Sequence, residues 1–410
     1  MADRKDEDVK IGEVLRRAKS KGLPFGWFCL AFFCLFYCIQ NHNHRFGMSD
    51  FKVYYSAAQN LLNSKPIYNQ AFGQASGLYK YSPVALLAFI PFAILPYFWA
   101  ATLYFALLAA FIFMAIKKAQ SFAHGLEPQA KTSAFFPYLL LLIGGAHFFR
   151  ELHLGNINSI MLFFAMLAME LLKRGKNTSP GILLGIIALF KPHFVIVLPV
   201  LLIFRRFKPF TISIVTIVSG ALAPVLYFGF KGDFLVHRQW LLTMVGHNAP
   251  DELLKAPNTL QRLVSLFVHN GFPGMNAIVT VAAMAVIYCM ILFLKKAHPS
   301  NFGGNDFSTA YYLCIAAIPL ITLTDTEHFL LALPVIAYLI ANFSRQNLGL
   351  KLLIVLACVL YGGNWFDVWG RTLSDAIERA GVLGVGCALI IALALYKWVN
   401  RGEQRVGALK

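Results

Sequence analysis

Charged residues are scarce in this sequence. Only 13% of its 410 residues are Asp, Glu, Lys or Arg, and 58% are apolar, whereas about a quarter of the residues in a soluble protein are charged. Apolar runs of roughly 15 to 25 residues recur along the chain, and helices that cross a hydrocarbon core of about 30 Å need runs of this length. This composition excludes an ordinary soluble protein and predicts an all-α, polytopic membrane protein.

Several enzyme motifs are also absent. The chain has no Walker loop, no dinucleotide-binding fingerprint, no His-Glu-x-x-His zinc helix and no Gly-x-Ser-x-Gly elbow. Its seven cysteines lie in apolar runs and form no Cys-x-x-Cys pair, which argues against a disulfide framework or a metal site. No cofactor and no metal site are therefore predicted.

Twelve membrane helices are predicted, and the basic residues orient them. With the N-terminus in the cytoplasm, most of the 36 Lys and Arg residues fall inside, whereas the acidic residues show no such bias. The net charge of +17 is therefore assigned to cytoplasmic loops and not to nucleic-acid binding. We expect one domain, 1–410, with a cytoplasmic segment at 1–23 and outer loops at 47–81 and 231–273. The predicted helices lie near 24–46, 82–116, 133–149, 157–172, 178–190, 193–207, 209–230, 274–294, 307–323, 328–343, 349–363 and 381–399.

Polar residues without an orienting role gather on the predicted outer face. Scattered loop polarity would not need this clustering, so the sequence predicts a polar cavity that opens to the outer side. The residues concerned are Asp50, the hairpin 150–158, Lys191, His193 and the segments 231–262, 325–328 and 365–371.

Asp50 has two interpretations. It lies in the first turn of a predicted interfacial helix, where an acid that follows an N-cap at Ser49 is favoured by the helix dipole and needs no further role. Alternatively, a carboxylate close to hydrocarbon has its pKa raised by desolvation and acts as a general base towards a hydroxyl.

Other polar groups also have a structural and a functional interpretation. Lys191 interrupts GILLGIIALFKPHFVIVLPVLLIFRR, where an ionisable residue either snorkels to the interface or contacts an anion such as a lipid phosphate. Residues 150–158 form either a capped hairpin or a set of donors for phosphate or sugar hydroxyls. In 325–328 the two carboxylates are either ordinary polar groups of a loop or weak ligands for a cation, and His328 could bind phosphate. The 231–262 loop mixes Trp with hydrogen-bonding groups, which suits a carbohydrate or an ordinary interfacial loop.

Five stretches, taken in order, resemble the polyprenyl-phosphate-dependent mannosyltransferases of glycosyltransferase family 87, within the GT-C class of multi-span enzymes. The resemblance implies a GT-C-like fold, a polyprenyl-phosphate sugar as donor, mannose as the usual sugar, and a bacterial cytoplasmic membrane with the active site facing the periplasm or exterior. The expected partners are this donor, a lipid or glycan acceptor, and membrane lipids. The stretches are DFKVYYSAAQNLLNSKPIY, YKYSPVALLAFIPFAILP, LGNINSIMLFF, GILLGIIALFKPHFVIVLPVLLIFRRF and HFLLALP.

The resemblance also implies residue roles. The carboxylate of the first outer loop is the expected general base, and this role carries over to Asp50. Lys191 matches the lysine of the Lys-Pro motif, and Glu327-His328 stands where family members often have paired histidines. The predicted donor-phosphate ligands are Lys191, His328, Arg150 and His193. The predicted substrate contacts are Tyr54, Tyr55, Tyr81, His153, Asn156, Asn158, Asn258 and Glu327.

Two other functions remain open. A flippase for a lipid-linked saccharide would need polar residues along a path through the membrane and often has internal repeats, whereas here the polar residues gather near one face. A GT-C-like glycan ligase or polymerase commonly carries a large late outer loop, whereas the candidate base here lies in the first loop. A purely structural scaffold would explain neither Asp50 nor Lys191.

Overall fold

The computed structural model describes residues 24–72, 77–126, 133–247, 256–265, 275–297, 303–341 and 343–407. The chain divides into two units, Met1–Phe46 and Gly47–Lys410. The first unit contributes one described helix, α1 (Phe25–His42), of 18 residues. The predicted cytoplasmic segment 1–23 lies outside the described residues.

Within the described ranges of Gly47–Lys410 every regular element is helical and none is a strand, which confirms the all-α prediction. Three 3-10 helices interrupt the α-helices at Pro83–Phe89, Pro192–Val197 and Thr326–Ala332, with a shorter one at Phe343–Arg345. The α-helices are α2 (Ser49–Leu62), α3 (Ile90–Ala93), α4 (Tyr97–Leu126), α5 (Phe136–Ile143), α6 (Gly145–Leu154), α7 (Asn158–Lys173), α8 (Thr178–Phe190), α9 (Leu198–Ile203), α10 (Phe207–Leu222), α11 (Val225–His247), α12 (Leu260–Ser265), α13 (Met275–Ala297), α14 (Gly304–Ile321), α15 (Leu333–Ala341), α16 (Leu348–Gly362), α17 (Phe366–Arg379) and α18 (Val382–Gly407).

Prolines set several helix boundaries. Pro83 and Pro192 occupy the first positions of their 3-10 helices, where the missing N–H leaves no hydrogen bond unmade. The predicted helix 82–116 is therefore not continuous. It divides into the 3-10 helix, α3 and α4, and α4 runs on to Leu126. The predicted break at Lys191-Pro192 is confirmed, since α8 ends at Phe190.

The secondary structure of three predicted segments differs from the prediction, while their side of the membrane stays a prediction. The segment 231–273, predicted as an outer loop, is helical over Val225–His247, which is kinked at Gly229 (φ +67°), and over Leu260–Ser265, while 248–255 and 266–274 lie outside the described residues. The single helix predicted at 133–149 is two helices, α5 and α6, that meet at Gly144. Most of the polar segment 365–371 lies inside α17. In α11 and α17 polar residues on the helix surface obscure the apolar periodicity, so hydropathy alone did not indicate a helix there.

Four helices are long and apolar enough to cross a membrane: Phe25–His42, Tyr97–Leu126, Ala277–Lys296 and Val382–Asn400. Three helix pairs pass the same test together but bend at a break, by 119° (α6 and α7), 87° (α10 and α11) and 88° (α16 and α17). Counting each bent pair once gives up to seven crossings among the described residues. The chain is thus a multi-pass membrane protein, and the number of twelve crossings stays a prediction.

The centre of the larger unit is formed by α14 and by the segment 326–341. Nearly all of their side chains are buried, including Tyr311 and Tyr338. A helix that is apolar on all sides must be surrounded by other helices. The polar residues at the start of this segment, Glu327 and His328, are therefore buried at one end of the protein core.

Glycines allow α8 to approach α10 closely. A Cβ atom added at Gly181 would lie 2.7 Å from Ile212 Cβ, and one at Gly185 would lie 2.5 Å from Thr216 Cβ. Small residues four apart permit such backbone contact between membrane helices. This contact fixes α8, whose last residue immediately precedes Lys191.

Candidate active site

A close contact between two chain segments places Asp50. Gly155 ends α6 with a left-handed φ of +73°, and a Cβ atom there would lie 2.8 Å from Phe51 Cβ and 2.9 Å from Met48 Cε. Met48 is itself left-handed, with φ +42°, and α2 begins at the next residue. Ser49 is therefore the first residue of the helix. The sequence had predicted Ser49 as the N-cap residue, which is Met48 instead. The contact puts Asp50 beside Asn156, which follows Gly155.

A polar cavity of about 190 Å³ lies next to this contact. Its wall combines the start of α2, the segment before Pro83, the Lys191-Pro192 break and the segment before α15. It is lined by Ser49, Asp50, Val53, Tyr54, Gly77, Leu78, Lys80, Tyr81, Asn156, Phe190, Lys191, Pro192, His193, Met244, Leu323, Thr324, Asp325 and His328.

Asn156 connects the cavity groups. Its Nδ2 donates to Asp50 Oδ2 at 2.8 Å and to Glu327 Oε1 at 3.3 Å. Its Oδ1 accepts from Tyr81 OH at 3.3 Å and from Lys191 Nζ at 3.4 Å. Asp50, on α2, is thereby joined to residues from three distant parts of the chain.

Lys191 is buried, with 3% of its surface exposed. Its Nζ lies 2.8 Å from His328 Nε2 and 5.7 Å from the centre of the Tyr81 ring, and it also donates to Asn158 Oδ1. An ammonium cannot accept a hydrogen bond, so His328 Nε2 accepts and its proton is on Nδ1. Asn158 in turn donates to Glu151 Oε2 at 3.0 Å. The lysine is thus held by amide oxygens and an imidazole.

Glu327 is fully buried and bridges the cavity to the protein surface. Arg150 Nε donates to its Oε2 at 3.1 Å, while His328 Nδ1 lies 3.5 Å from its Oε1. Arg150 is 43% exposed. The guanidinium therefore compensates a buried carboxylate from outside the cavity.

Burial has a direct consequence for the Asp50 carboxyl. The pKa of Asp50 is raised from an ordinary value of 3.8 to about 7, first by removal from water and then by the negative charges of Glu327 and Asp325. The hydrogen bond from Asn156 and the charge of Lys191 act in the opposite direction and are included in this value. The pKa of Asp325 is raised as well, first by burial and then by Glu327. A carboxylate with a pKa near 7 is suited to general base catalysis at neutral pH.

Most predicted site residues meet at the cavity. Asp50, Tyr54, Tyr81, Asn156, Lys191, His193 and His328 all line it. Asn158, Glu327 and Arg150 lie behind this layer and contact Lys191 or Asn156, or each other.

Three predicted site residues point elsewhere. Tyr55 donates to the backbone oxygen of Leu95 at 2.7 Å and so holds α2 against the turn before α4. Asn258 accepts from the backbone N–H of Gly384 at 3.1 Å. His153 is exposed on α6 and does not line the cavity. Their polarity alone did not show on which side of a helix each would lie.

Three residues in or beside the cavity were not among the predicted site residues: Glu151, Lys80 and Met244. Glu151 is fully buried and accepts from Asn158 and from the Ser159 N–H, a place that its Arg-Glu context gave no reason to expect. Met244 reaches the cavity because α11 continues where a loop was predicted. Helical spacing could have found it, since Trp240 and Met244 are four residues apart on one face.

The described residues contain no group of three or more His, Cys, Asp or Glu side chains that could hold a metal ion. The Asp325-x-Glu327 pair gives two carboxylates on the cavity side, but Glu327 is already held by Arg150. The absence of a cofactor stays a prediction.

The described residues form a multi-pass helical protein with a polar cavity among its helices. This combination defines an integral membrane protein with a hydrophilic site. Residues 79–317 match the sequence profile of Glycosyltransferase family 87. The match spans more than half of the chain, so the protein belongs to this family and is a glycosyltransferase. Tyr81, Asn156 and Lys191 fall inside the matched span, whereas Asp50 and His328 lie on either side of it. No curated protein matches the sequence.

Proposed function

We propose that the protein transfers a sugar, mannose being the expected one, from a polyprenyl phosphate to a hydroxyl of a lipid or glycan acceptor, with Asp50 as the general base. The observation that carries this proposal is that Asp50, Lys191 and His328 line one cavity. A base and the ammonium of Lys191, which His328 helps to hold, are thereby available to the same small volume.

The reaction balances with one base. The acceptor O–H gives its proton to the Asp50 carboxylate while the oxygen forms a bond to the anomeric carbon. The bond from that carbon to the phosphate oxygen breaks, and polyprenyl phosphate leaves with the bonding electron pair. One displacement inverts the anomeric configuration. Because the phosphate is already a good leaving group, this reaction needs no second carboxyl as a general acid.

Lys191 supplies positive charge where the leaving group develops negative charge. The hydrogen-bond partners of its ammonium are Asn156, Asn158 and His328. None of these three is a carboxylate, so none of them neutralises the positive charge. Charge-assisted hydrogen bonds to phosphate are about twice as strong as neutral ones. His193 also lines the cavity, and its buried Nε2 has no hydrogen-bond partner within the described part of the chain. This nitrogen is available to a donor phosphate.

The orientation follows from the basic residues. The positive-inside rule places the first outer segment, which carries Asp50, on the side opposite the basic loops. In a bacterium the reaction would occur at the periplasmic or outer face of the cytoplasmic membrane. A lipid-linked donor is suited to this side, where no cytoplasmic nucleotide sugar is present.

A transfer assay tests the proposal. Purified protein is incubated with polyprenyl-phosphate [14C]mannose and a native membrane lipid extract, and radiolabelled products are separated. Wild type is compared with Asp50→Asn and with Asp375→Asn, which replaces an exposed acid on α17. A parallel reaction contains GDP-[14C]mannose as donor.

We expect label to move to a new glycolipid with wild type and Asp375→Asn but not with Asp50→Asn, and only from the polyprenyl donor. Equal transfer by all three proteins would overturn the role of Asp50. Transfer from the nucleotide sugar alone would overturn the donor class. No transfer by any protein would overturn this donor and acceptor pair and favour lipid-linked saccharide transport or ligation.

A further inference from the structure

The side-chain amide of Asn156 has only one orientation that satisfies its neighbours. Its Oδ1 faces three donors: the Ile157 N–H at 2.7 Å, Tyr81 OH at 3.3 Å and Lys191 Nζ at 3.4 Å. Its Nδ2 faces two carboxylate oxygens, of Asp50 and Glu327. A flipped amide would place its oxygen against both carboxylates and its N–H groups against the ammonium and the backbone N–H. The five contacts therefore fix the orientation.

The backbone around Asn156 is equally constrained. Gly155 is left-handed and in contact with Phe51 and Met48, on the two sides of Asp50. Tyr104 OH donates to the backbone oxygen of Asn156 at 3.4 Å, and the Tyr104 ring stacks on Phe51 with centroids 4.3 Å apart. Asp50 and Asn156 are thus held by the same packing contacts, so the distance between them does not depend on a flexible segment.

We propose that Asn156 is the positioning residue for the base: its Nδ2 holds the Asp50 carboxylate, its Oδ1 is held by Lys191 and Tyr81, and the amide thereby separates the base from the lysine. This proposal rests on the general base role of Asp50. It adds a residue whose work is to keep the carboxylate and the ammonium apart while it fixes both.

Separation of the Asp50 carboxylate from the Lys191 ammonium preserves the chemistry of both groups. A carboxylate in direct contact with an ammonium has its pKa lowered, often by 1 to 3 units, and is then a weaker base. The same contact would neutralise the charge that Lys191 offers to a phosphate. An amide placed between the two groups binds each through a neutral dipole. Asp50 keeps a pKa of about 7, and Lys191 keeps its positive charge for an anion.

The other charged and titratable groups around Asp50 do not replace this role. The negative charges of Glu327 and Asp325 raise the pKa of Asp50. The positive charge of Lys191 lowers it, but the pKa of Asp50 stays raised. Tyr54 and Tyr81 face the same volume and hydrogen-bond to each other at 2.9 Å. Asn156 is the residue that donates a hydrogen bond to Asp50 in the described part of the site.

Asn158 provides a matched comparison two residues away. It also joins a carboxylate to Lys191, since its Nδ2 donates to Glu151 and its Oδ1 accepts from Lys191. Its amide makes no contact with Asp50. Substitution of either asparagine removes one acceptor from Lys191, but only substitution of Asn156 removes the donor from Asp50.

Direct titration of Asp50 tests the proposal without any substrate. Infrared difference spectra are recorded against pH for wild type, Asn156→Ala and Asn158→Ala. The Asp50 carboxyl band is assigned by its loss in Asp50→Asn. We expect the midpoint for Asn156→Ala to rise by roughly one pH unit, because a hydrogen bond to the charged form has been lost while Asn158 and His328 still hold Lys191 in place. The midpoint for Asn158→Ala should stay close to that of wild type.

An unchanged midpoint in Asn156→Ala, or equal shifts in both variants, would overturn the proposal. If Asn156→Ala does not fold, Asn156→Leu has a similar volume and no hydrogen-bond donor and should raise the midpoint for the same reason. A midpoint at or below that of wild type would contradict the proposal. The transfer assay gives a second reading. The acidic limb of log kcat/KM should move to higher pH in Asn156→Ala only, whereas a structural defect would lower the rate equally at every pH. Because the infrared titration needs no donor, it holds even if the transfer assay fails.

Discussion

Arg150 and Glu327 form an ion pair in which the carboxylate is fully buried and the guanidinium is 43% exposed, with Arg150 Nε 3.1 Å from Glu327 Oε2. The pair therefore separates the interior of the site from its surface. Glu327 contacts Asn156 inside, and Arg150 lies on α6 at the protein surface.

Removal of only the arginine should destabilise the protein. Arg150→Leu leaves a fully buried carboxylate without the guanidinium that pairs with it, and we expect a loss of about 1–3 kcal/mol in the free energy of unfolding. Arg150→Leu with Glu327→Gln removes both charges and should recover part of this loss. Unfolding in a mixed-micelle titration measures both. A double variant as unstable as Arg150→Leu alone would contradict the pairing.

The raised pKa of Asp50 should appear as a pH-dependent cost of folding. The folded state binds the Asp50 proton up to about pH 7, whereas an unfolded carboxyl loses it near pH 4. Stability contributed by the protonated form is thus complete at low pH and is lost as pH rises from about 4 to 7. Relative to wild type, Asp50→Asn should become more stable over this interval, by roughly 2 kcal/mol after allowance for partial exposure. Thermal midpoints at pH 5 and pH 8 measure this difference, and a difference that shrinks at higher pH would contradict the assignment.

Gly155 and Gly175 form a matched pair of left-handed glycines. Their φ values are +73° and +74°. A Cβ at Gly155 would meet Phe51 and Met48, whereas one at Gly175 meets nothing within 4 Å. Gly175→Ala should cost about 1–2 kcal/mol of strain and leave transfer unchanged. Gly155→Ala should cost more and should also lower kcat/KM at least about tenfold, because α2 and Asp50 must move. Equal effects of the two substitutions on rate would show that this contact does not position the base.

The charge of Lys191 should be needed for the leaving group. Lys191→Met keeps the length of the side chain but removes the ammonium, and we expect kcat to fall about 10²–10³-fold. Lys191→Arg should restore part of the rate. Polyprenyl phosphate should inhibit wild type as a product and inhibit Lys191→Met much less. A Met variant with normal kcat and normal product inhibition would assign the phosphate contact to His328 or His193 instead.

The sequence predicted the cavity better than it predicted the helices. Asp50, Lys191 and His328 stood out because polar residues in apolar surroundings need a reason to be there, and all three line one volume. Tyr55 and Asn258 were assigned to the site on polarity alone. Each forms a hydrogen bond to backbone that only tertiary packing determines. Glu151 was missed because its burial depends on the tight turn at Gly155, which brings Ser159 and Asn158 back onto it.

Helix boundaries failed where amphipathic helices carry polar residues. The segment after Leu222 was predicted to enter a loop near residue 231, but Trp240 on α11 donates to the backbone oxygen of Lys80 at 3.0 Å, and Thr243 donates to Asn69. These contacts hold α11 against Asn69 and Lys80. Hydropathy averages cannot detect them, since the paired residues are 160 and 174 positions apart in the sequence.

The three longer 3-10 helices have a consequence for angles around the helix axis. Each begins beside a cavity residue: Tyr81 shortly before Pro83, Lys191 before Pro192, and Asp325 before Thr326. A 3-10 helix turns about 120° per residue and an α-helix about 100°. Over six residues the difference accumulates to about 120°, a third of a full rotation. If α-helical spacing were extended from α9 back to Lys191, the lysine side chain would therefore be assigned the wrong direction around the helix axis. The direction of its side chain towards the cavity is set by the tighter winding of Pro192–Val197 together with the extended backbone of Lys191 itself.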